Sequence, residues 1–154
     1  WRKVLGFSFA VLGAFVGLMA AQNTSYADSK ELSVRQGTEV WSKKLLAELK
    51  SQGKPVFVDV TAKWCITCIA NENAVLFTDR MDQEFRKRDI TYLVADWTEY
   101  EPEIAKFVES HGRAGIPLYV FYPSRNETSI SNKPIILPQI LTFSTVLKAL
   151  DATN

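Results

Sequence analysis

The chain has only two cysteines, Cys65 and Cys68, set two residues apart in Trp64-Cys65-Ile66-Thr67-Cys68. They come just after the apolar run Val56-Phe57-Val58-Asp59-Val60. Two thiols at that spacing, where a strand gives way to a helix, can close a small disulfide ring and reopen it. The unpaired N–H groups and dipole of a helix start favour a thiolate, which makes the first cysteine a nucleophile near neutral pH. Cys65 is therefore the expected attacking thiol. Cys68, one turn in, is the expected resolving thiol, which cleaves the mixed disulfide formed on a target. Two inert core cysteines are the bland alternative, and the spacing and the Trp64 flank speak against it.

Four other positions can serve this chemistry. Asp59 lies inside the apolar strand, where a carboxylate is costly to bury unless paired or neutral, so its pKa is expected to rise. Such a group can shuttle the proton that Cys68 must lose; an outward-facing aspartate at the strand end is the alternative. Glu72, four residues beyond Cys68 on the same helix face, is a second candidate relay or else a solvated helix residue. Gly115-Ile116-Pro117 enters a later strand. Its proline is a candidate cis peptide beside the thiols, with the Ile116 backbone free to pair with a substrate strand, although an ordinary trans bond is the expectation from sequence alone. Trp64 either shields the disulfide and offers apolar contact or simply packs. His111 reads as a cation at a helix C-terminus rather than a catalyst. Trp97 and Tyr100 either line a docking surface or cover the core.

Composition narrows the class. The 154 residues carry a net charge of +1 with both signs scattered. No basic stripe points to nucleic acid, and no acidic tail to a charged partner. Two cysteines are too few for a disulfide framework, whereas a C-x-x-C near a β-α pattern reads as a redox motif. A structural zinc site wants four ligands, and His111 is the sole histidine, so no metal site is assigned. A thiolate copper site without redox turnover is a third possibility, poorly supplied with ligands because the methionines are Met19 and Met81. No cofactor is expected beyond the redox-active disulfide itself.

Val4 to Ala21 runs 18 residues without a charge, after Arg2 and Lys3. That length is marginal for a membrane span and long for the apolar core of a signal sequence. Ser25-Tyr26-Ala27 resembles a small-x-small cleavage site. The chain opens on Trp1 rather than Met. The expectation is the last transmembrane helix of a longer protein, with a signal sequence or signal-anchor as the alternative. By the positive-inside rule Arg2 and Lys3 stay cytoplasmic and the rest lies outside. In a Gram-negative bacterium this means an inner-membrane protein with its remaining domain in the periplasm, where a reduced thiol pair needs supplied electrons.

The elements that must position the thiols follow from periodicity. Residues 1–21 form the membrane segment, 22–38 a polar linker, and 39–154 the folded domain. Trp41, Leu45, Leu46 and Leu49 predict a helix from Glu39 to Gln52, ended by Gly53. Pro55 to Val60 reads as a buried central strand. A helix from about Cys65 carries Ile69, Ala70 and Ala74, and another from Asp79 to Lys87 turns Met81 and Phe85 inward. Ile90 to Ala95 is a strand, and Pro102 to His111 a helix with Ile104, Phe107 and Val108 inward. Leu118 to Tyr122 and Ile135 to Leu137 are strands, with a turn at Pro123-Ser124-Arg125-Asn126, and Ser144 to Leu150 closes the chain as a helix. The fold class is α/β: a mixed central sheet with helices on both faces, ending in a hairpin.

Strand with Asp59, WCxxC, and a later Ile-Pro before a strand together resemble the thioredoxin superfamily over roughly residues 39–151. More narrowly, the chain resembles the C-terminal periplasmic domain of the DsbD family of thiol:disulfide interchange proteins, including its ScsB-like branch. That likeness is carried by Val56 to Cys68, Asn71-Glu72, Ala95-Asp96-Trp97-Thr98, Gly115 to Val120 and Leu137 to Thr142. The resemblance implies an electron relay. A membrane domain of the same protein takes electrons from cytoplasmic thioredoxin. This domain accepts them, and an N-terminal periplasmic domain or other periplasmic thiol/disulfide proteins receive them. It also implies roles: Cys65 as nucleophile, Cys68 as resolver, Asp59 and Glu72 tuning the thiols, Pro117 as the cis-proline. Ile69 departs from the lysine that many relatives place there, so Cys65 is expected to be less acidic than theirs. A stand-alone membrane-tethered reductase serving cytochrome c maturation, and an oxidase that donates disulfides, remain open beside the relay.

Overall fold

A computed structural model describes residues 37–125 and 133–151. The expected membrane segment 1–21 and residues 22–36 of the expected linker lie outside them. Among the described residues no helix is long and apolar enough to cross a membrane.

The order of elements is β1 (Thr38–Val40), α1 (Lys43–Ser51), β2 (Val56–Thr61), α2 (Ile66–Asn71), a π-helical turn (Glu72–Leu76), α3 (Asp79–Lys87), β3 (Thr91–Asp96), α4 (Pro102–Ser110), β4 (Leu118–Tyr122), β5 (Ile135–Ile136) and α5 (Phe143–Asp151). The strands form one sheet in the order β1-β3-β2-β4-β5. The first three are mutually parallel; β4 runs antiparallel to β2, and β5 antiparallel to β4. β2 is central, as its apolar run requires, and its first five residues are all buried. This is the mixed sheet with a terminal hairpin that the element pattern predicts.

Side-chain alternation divides the interior into two faces. Val56, Val58 and Val60 of β2, Leu93 and Ala95 of β3, and Leu118, Val120 and Tyr122 of β4 point one way. They pack against Trp41, Leu46 and Leu49 around α1 and Ile104 and Val108 of α4. The alternate residues point the other way, where Phe57 meets Phe85 of α3, Tyr92 and Tyr119. α5 joins α3 through Arg88, which bonds both Glu84 and Asp151, and through Arg80 stacked on the Phe143 ring.

One local expectation gives way. The first helix does not start at Glu39. Thr38–Val40 pairs in parallel register with Tyr92–Val94 as an edge strand, and the Trp41 N–H continues the ladder to the Val94 carbonyl. Ser42 then caps the helix, its hydroxyl accepting from the Leu45 N–H. Trp41 is buried as expected, but ahead of the helix. In the segment after the cysteines, Ile69, Ala70 and Ala74 face outward, and the buried stripe is Cys68, Asn71, Val75 and Leu76. The inward position there belongs to a polar side chain, Asn71, whose amide nitrogen and oxygen both find partners inside the fold.

Candidate functional site

Cys65 is the N-cap of α2, and its sulfur accepts from the Cys68 N–H at 3.3 Å. The two cysteines form a disulfide with S–S 2.07 Å. Cys65 keeps 7% exposure and Cys68 none. The order is the expected one, but the first thiol is less open than a bare helix start suggests. Ala62 and the two cysteines form one buried cluster, and Ile116 packs against it.

The loop that presents the disulfide is braced from β3. The Trp64 indole N–H donates to the Thr98 carbonyl at 3.1 Å, and the Lys63 N–H to the Thr98 hydroxyl at 3.0 Å. Asp96 in turn accepts from both the Thr98 hydroxyl and its N–H. Trp64 is thereby fixed at its polar end while remaining 60% exposed, with its ring surface available beside the disulfide. Ile66 and Ile69 of α2 are exposed as well, so the surroundings of the sulfurs are apolar.

Beneath α2 lies a cluster of polar groups within the second sheet face. Asp59 is fully buried. Its Oδ2 accepts from the Tyr92 hydroxyl at 2.7 Å, while its Oδ1 has no partner. Burial pushes its pKa up to about 8; the Tyr92 hydrogen bond opposes this rise and the nearby Glu72 charge adds to it. The outward-facing alternative for Asp59 is excluded. Glu72, half-buried, accepts from the Thr61 hydroxyl at 2.5 Å, so the solvated alternative fails for it too. The start of the π turn directs Glu72 toward the end of β2.

Ile116-Pro117 is cis, against the trans expectation. Pro117 is buried at the entry to β4, and the same segment brings Ile116 to the cysteines. Sequence shows a Gly-Ile-Pro strand entry but not what lies beside it, and the neighbourhood decides the isomer.

Asn71 was singled out only as part of the likeness. Its amide donates to the Tyr119 hydroxyl at 2.9 Å and to the Gln139 carbonyl at 2.7 Å, and its Oδ1 accepts from the Leu141 N–H at 3.0 Å. It thereby ties α2 to β4 and to the loop before α5. Its spacing of three from Cys68 was the available signal, since both then share one helical face. Tyr92 was missed altogether; its strand register with Phe57 places it on the same face as Asp59.

The remaining candidates lie apart from the thiols. His111 caps α4, its Nδ1 2.7 Å from the Phe107 carbonyl and its Nε2 2.9 Å from the Tyr122 hydroxyl. Tyr122 belongs to the apolar face, opposite Asp59. Trp97 packs on that core, whereas Tyr100 is 77% exposed. Among the described residues no group of three or more His, Cys, Asp or Glu side chains is arranged to hold a metal ion.

With this geometry in place, residues 38–124 match the thioredoxin-like family. The thiol:disulfide interchange protein DsbD of Vibrio cholerae is 28% identical over 82 residues, which is 53% of this chain and 13% of that protein. The matched stretch is thus a small part of its curated relatives. Among solved structures, the oxidised C-terminal domain of Neisseria meningitidis DsbD superposes with a TM-score of 0.56 at 20% identity, covering 76% of this chain and 99% of that one. A thioredoxin from Thermus thermophilus gives 0.56 at 17% identity, over 75% of this chain and 85% of that one.

Proposed function

The chain belongs to the thioredoxin-like family, and on that premise we propose that it is a thiol:disulfide oxidoreductase related to DsbD, working as a protein-disulfide reductase. The observation that carries the reading is the Cys65–Cys68 disulfide at the start of α2, above a buried Asp59 and beside the cis Ile116-Pro117 bond.

In the reduced domain the Cys65 thiolate attacks one sulfur of a target disulfide. The Cys65–target bond forms, and the other target sulfur leaves with the electron pair and takes a proton from water. The Asp59 carboxylate then accepts the Cys68 proton. The Cys68 thiolate attacks the Cys65 sulfur, the Cys65–Cys68 bond forms, and the second target thiolate is released. The target gains two electrons and the domain ends in the oxidised form described above. A reduced dithiol protein returns it to the start by the reverse exchange. Trp64 and Ile116 form the contact surface for the target, with the buried Pro117 behind Ile116, and Glu72 works on Asp59 through its charge.

The 28% identity to DsbD supports a relay in which a membrane domain of the same protein is that dithiol donor. Periplasmic thiol/disulfide proteins, or an N-terminal domain of the same protein, are then the acceptors. Residues 1–21 as an inner-membrane helix, with the thioredoxin-like domain in the periplasm, agree with this. No part of the scheme calls for a cofactor.

The deciding measurement is the equilibrium reduction potential of the Cys65–Cys68 pair, followed by Trp64 fluorescence in thiol/disulfide buffers. A value near about −270 mV, that of thioredoxin, is expected for an electron donor. A value near about −120 mV makes the domain an oxidant and removes the reductase reading.

A further inference from the structure

Asp59 has two carboxylate oxygens in different situations. Oδ2 accepts the Tyr92 hydroxyl at 2.7 Å; Oδ1 is buried and unpartnered. The Tyr92 ring cannot swing away, because Phe57 and Phe85 lie against it with centroids at 5.3 and 5.2 Å and Phe77 at 6.3 Å. The hydroxyl is also a permanent donor, since burial and the Asp59 charge hold the phenol protonated well above its ordinary range. A carboxyl whose Oδ2 is occupied as an acceptor carries its proton on Oδ1.

We propose that Tyr92 is a positioning residue for the exchange reaction: it holds Asp59 by Oδ2 and leaves Oδ1 as the oxygen that takes up and gives back the Cys68 proton. This rests on the reading of Asp59 as the proton carrier. The titratable groups facing Asp59 are Tyr92 from β3, Glu72 from the π turn and Tyr119 from β4. Glu72 disfavours the carboxylate by like charge. Tyr92 favours it by donating a hydrogen bond, so the two act in opposite directions on the pH at which Asp59 becomes a base.

The test uses the full reduced chain and an aromatic disulfide whose thiolate product is coloured. Attack by Cys65 releases the first thiolate and resolution by Cys68 the second, so the second phase reports proton removal from Cys68. Its rate is measured against pH for the wild type, Tyr92→Phe, Glu72→Gln and Asp59→Asn. Tyr92→Phe keeps the ring and its aromatic contacts. Its midpoint is expected to move to higher pH by on the order of one unit, the size of a lost hydrogen bond to a charged group. Glu72→Gln is expected to move it lower, and Asp59→Asn to remove the step. A ¹³C titration of the Asp59 carboxyl in the oxidised chain reads the same shift without turnover. A Tyr92→Phe variant slowed equally at every pH, with the carboxyl midpoint unmoved, overturns the positioning role and leaves the Asp59 reading intact. A wild-type step that survives in Asp59→Asn removes the Asp59 reading itself.

Discussion

On one face of the sheet Val56, Val58 and Val60 meet Leu46, Leu49, Ile104 and Val108, with no polar side chain among them. On the other face the alternate residues of the same strands surround a fully buried carboxyl, Asp59, with Phe57, Tyr92 and Tyr119. The strands are shared and the period is two, so a single residue step separates an apolar row from one that carries a buried acid. A buried acid stripped of water is unfavourable as a carboxylate. The second face tolerates that burden because Asp59 can be neutral.

The largest effect comes from exchanging the rules between neighbours. Val58→Asp puts a carboxyl on the apolar face in place of a fully buried valine. It is expected to destabilise the protein by more than about 4 kcal/mol, read as loss of the cooperative urea transition at neutral pH. Asp59→Asn has the opposite sign and a pH signature. Folded Asp59 keeps its proton to about pH 8, against the ordinary value of 3.8. Between those values the native state holds one more proton than the unfolded chain. Stability from this group is thus complete below the unfolded value and falls as pH rises through the folded one, by about 1.4 kcal/mol per unit. The variant lacks that slope, so its advantage should grow across the window and then level off. Parallel stability curves for the two proteins from pH 4 to 8 would contradict a buried protonated acid.

A middle-sized effect separates tethering from filling. Asn71→Ala leaves the Tyr119 hydroxyl, the Gln139 carbonyl and the Leu141 N–H without their partner and should cost about 2–4 kcal/mol. Leu46→Ala on the apolar face should cost a similar amount, about 2–4 kcal/mol, through its cavity. Only Asn71→Ala is expected to shift the Cys65–Cys68 reduction potential, because Asn71 anchors the helix that carries Cys68. Equal shifts in both variants would show that the two faces are energetically coupled. The smallest effect is expected at Trp64. Trp64→Phe loses one hydrogen bond at an exposed position and should change stability by less than about 1 kcal/mol in thermal denaturation, while slowing exchange with protein disulfides more than with small ones.

Much of this was legible in the residues. The apolar run of β2 announced a central strand, and the single aspartate within it announced a carboxyl under strain. The C-x-x-C spacing gave the chemistry. The failures share one cause. Glu39 to Val40 looked helical because Trp41, Leu45 and Leu49 share a helical period, while edge pairing to β3 is a non-local bond that periodicity cannot register. Asn71 was not read as a core residue because polar side chains usually face out, while it is satisfied by partners 48, 68 and 70 positions away.

By itself the sequence determined which atoms can react, which strand is central and which helix carries the sulfurs, because these depend on residue type and local spacing. The tertiary structure alone decided that Ile116-Pro117 is cis and packed at the disulfide, that Thr98 braces Trp64, and that Tyr92 divides the two oxygens of Asp59. Each of those is a contact between segments tens of residues apart. Such contacts follow from how the strands are ordered in the sheet, which local preference does not encode.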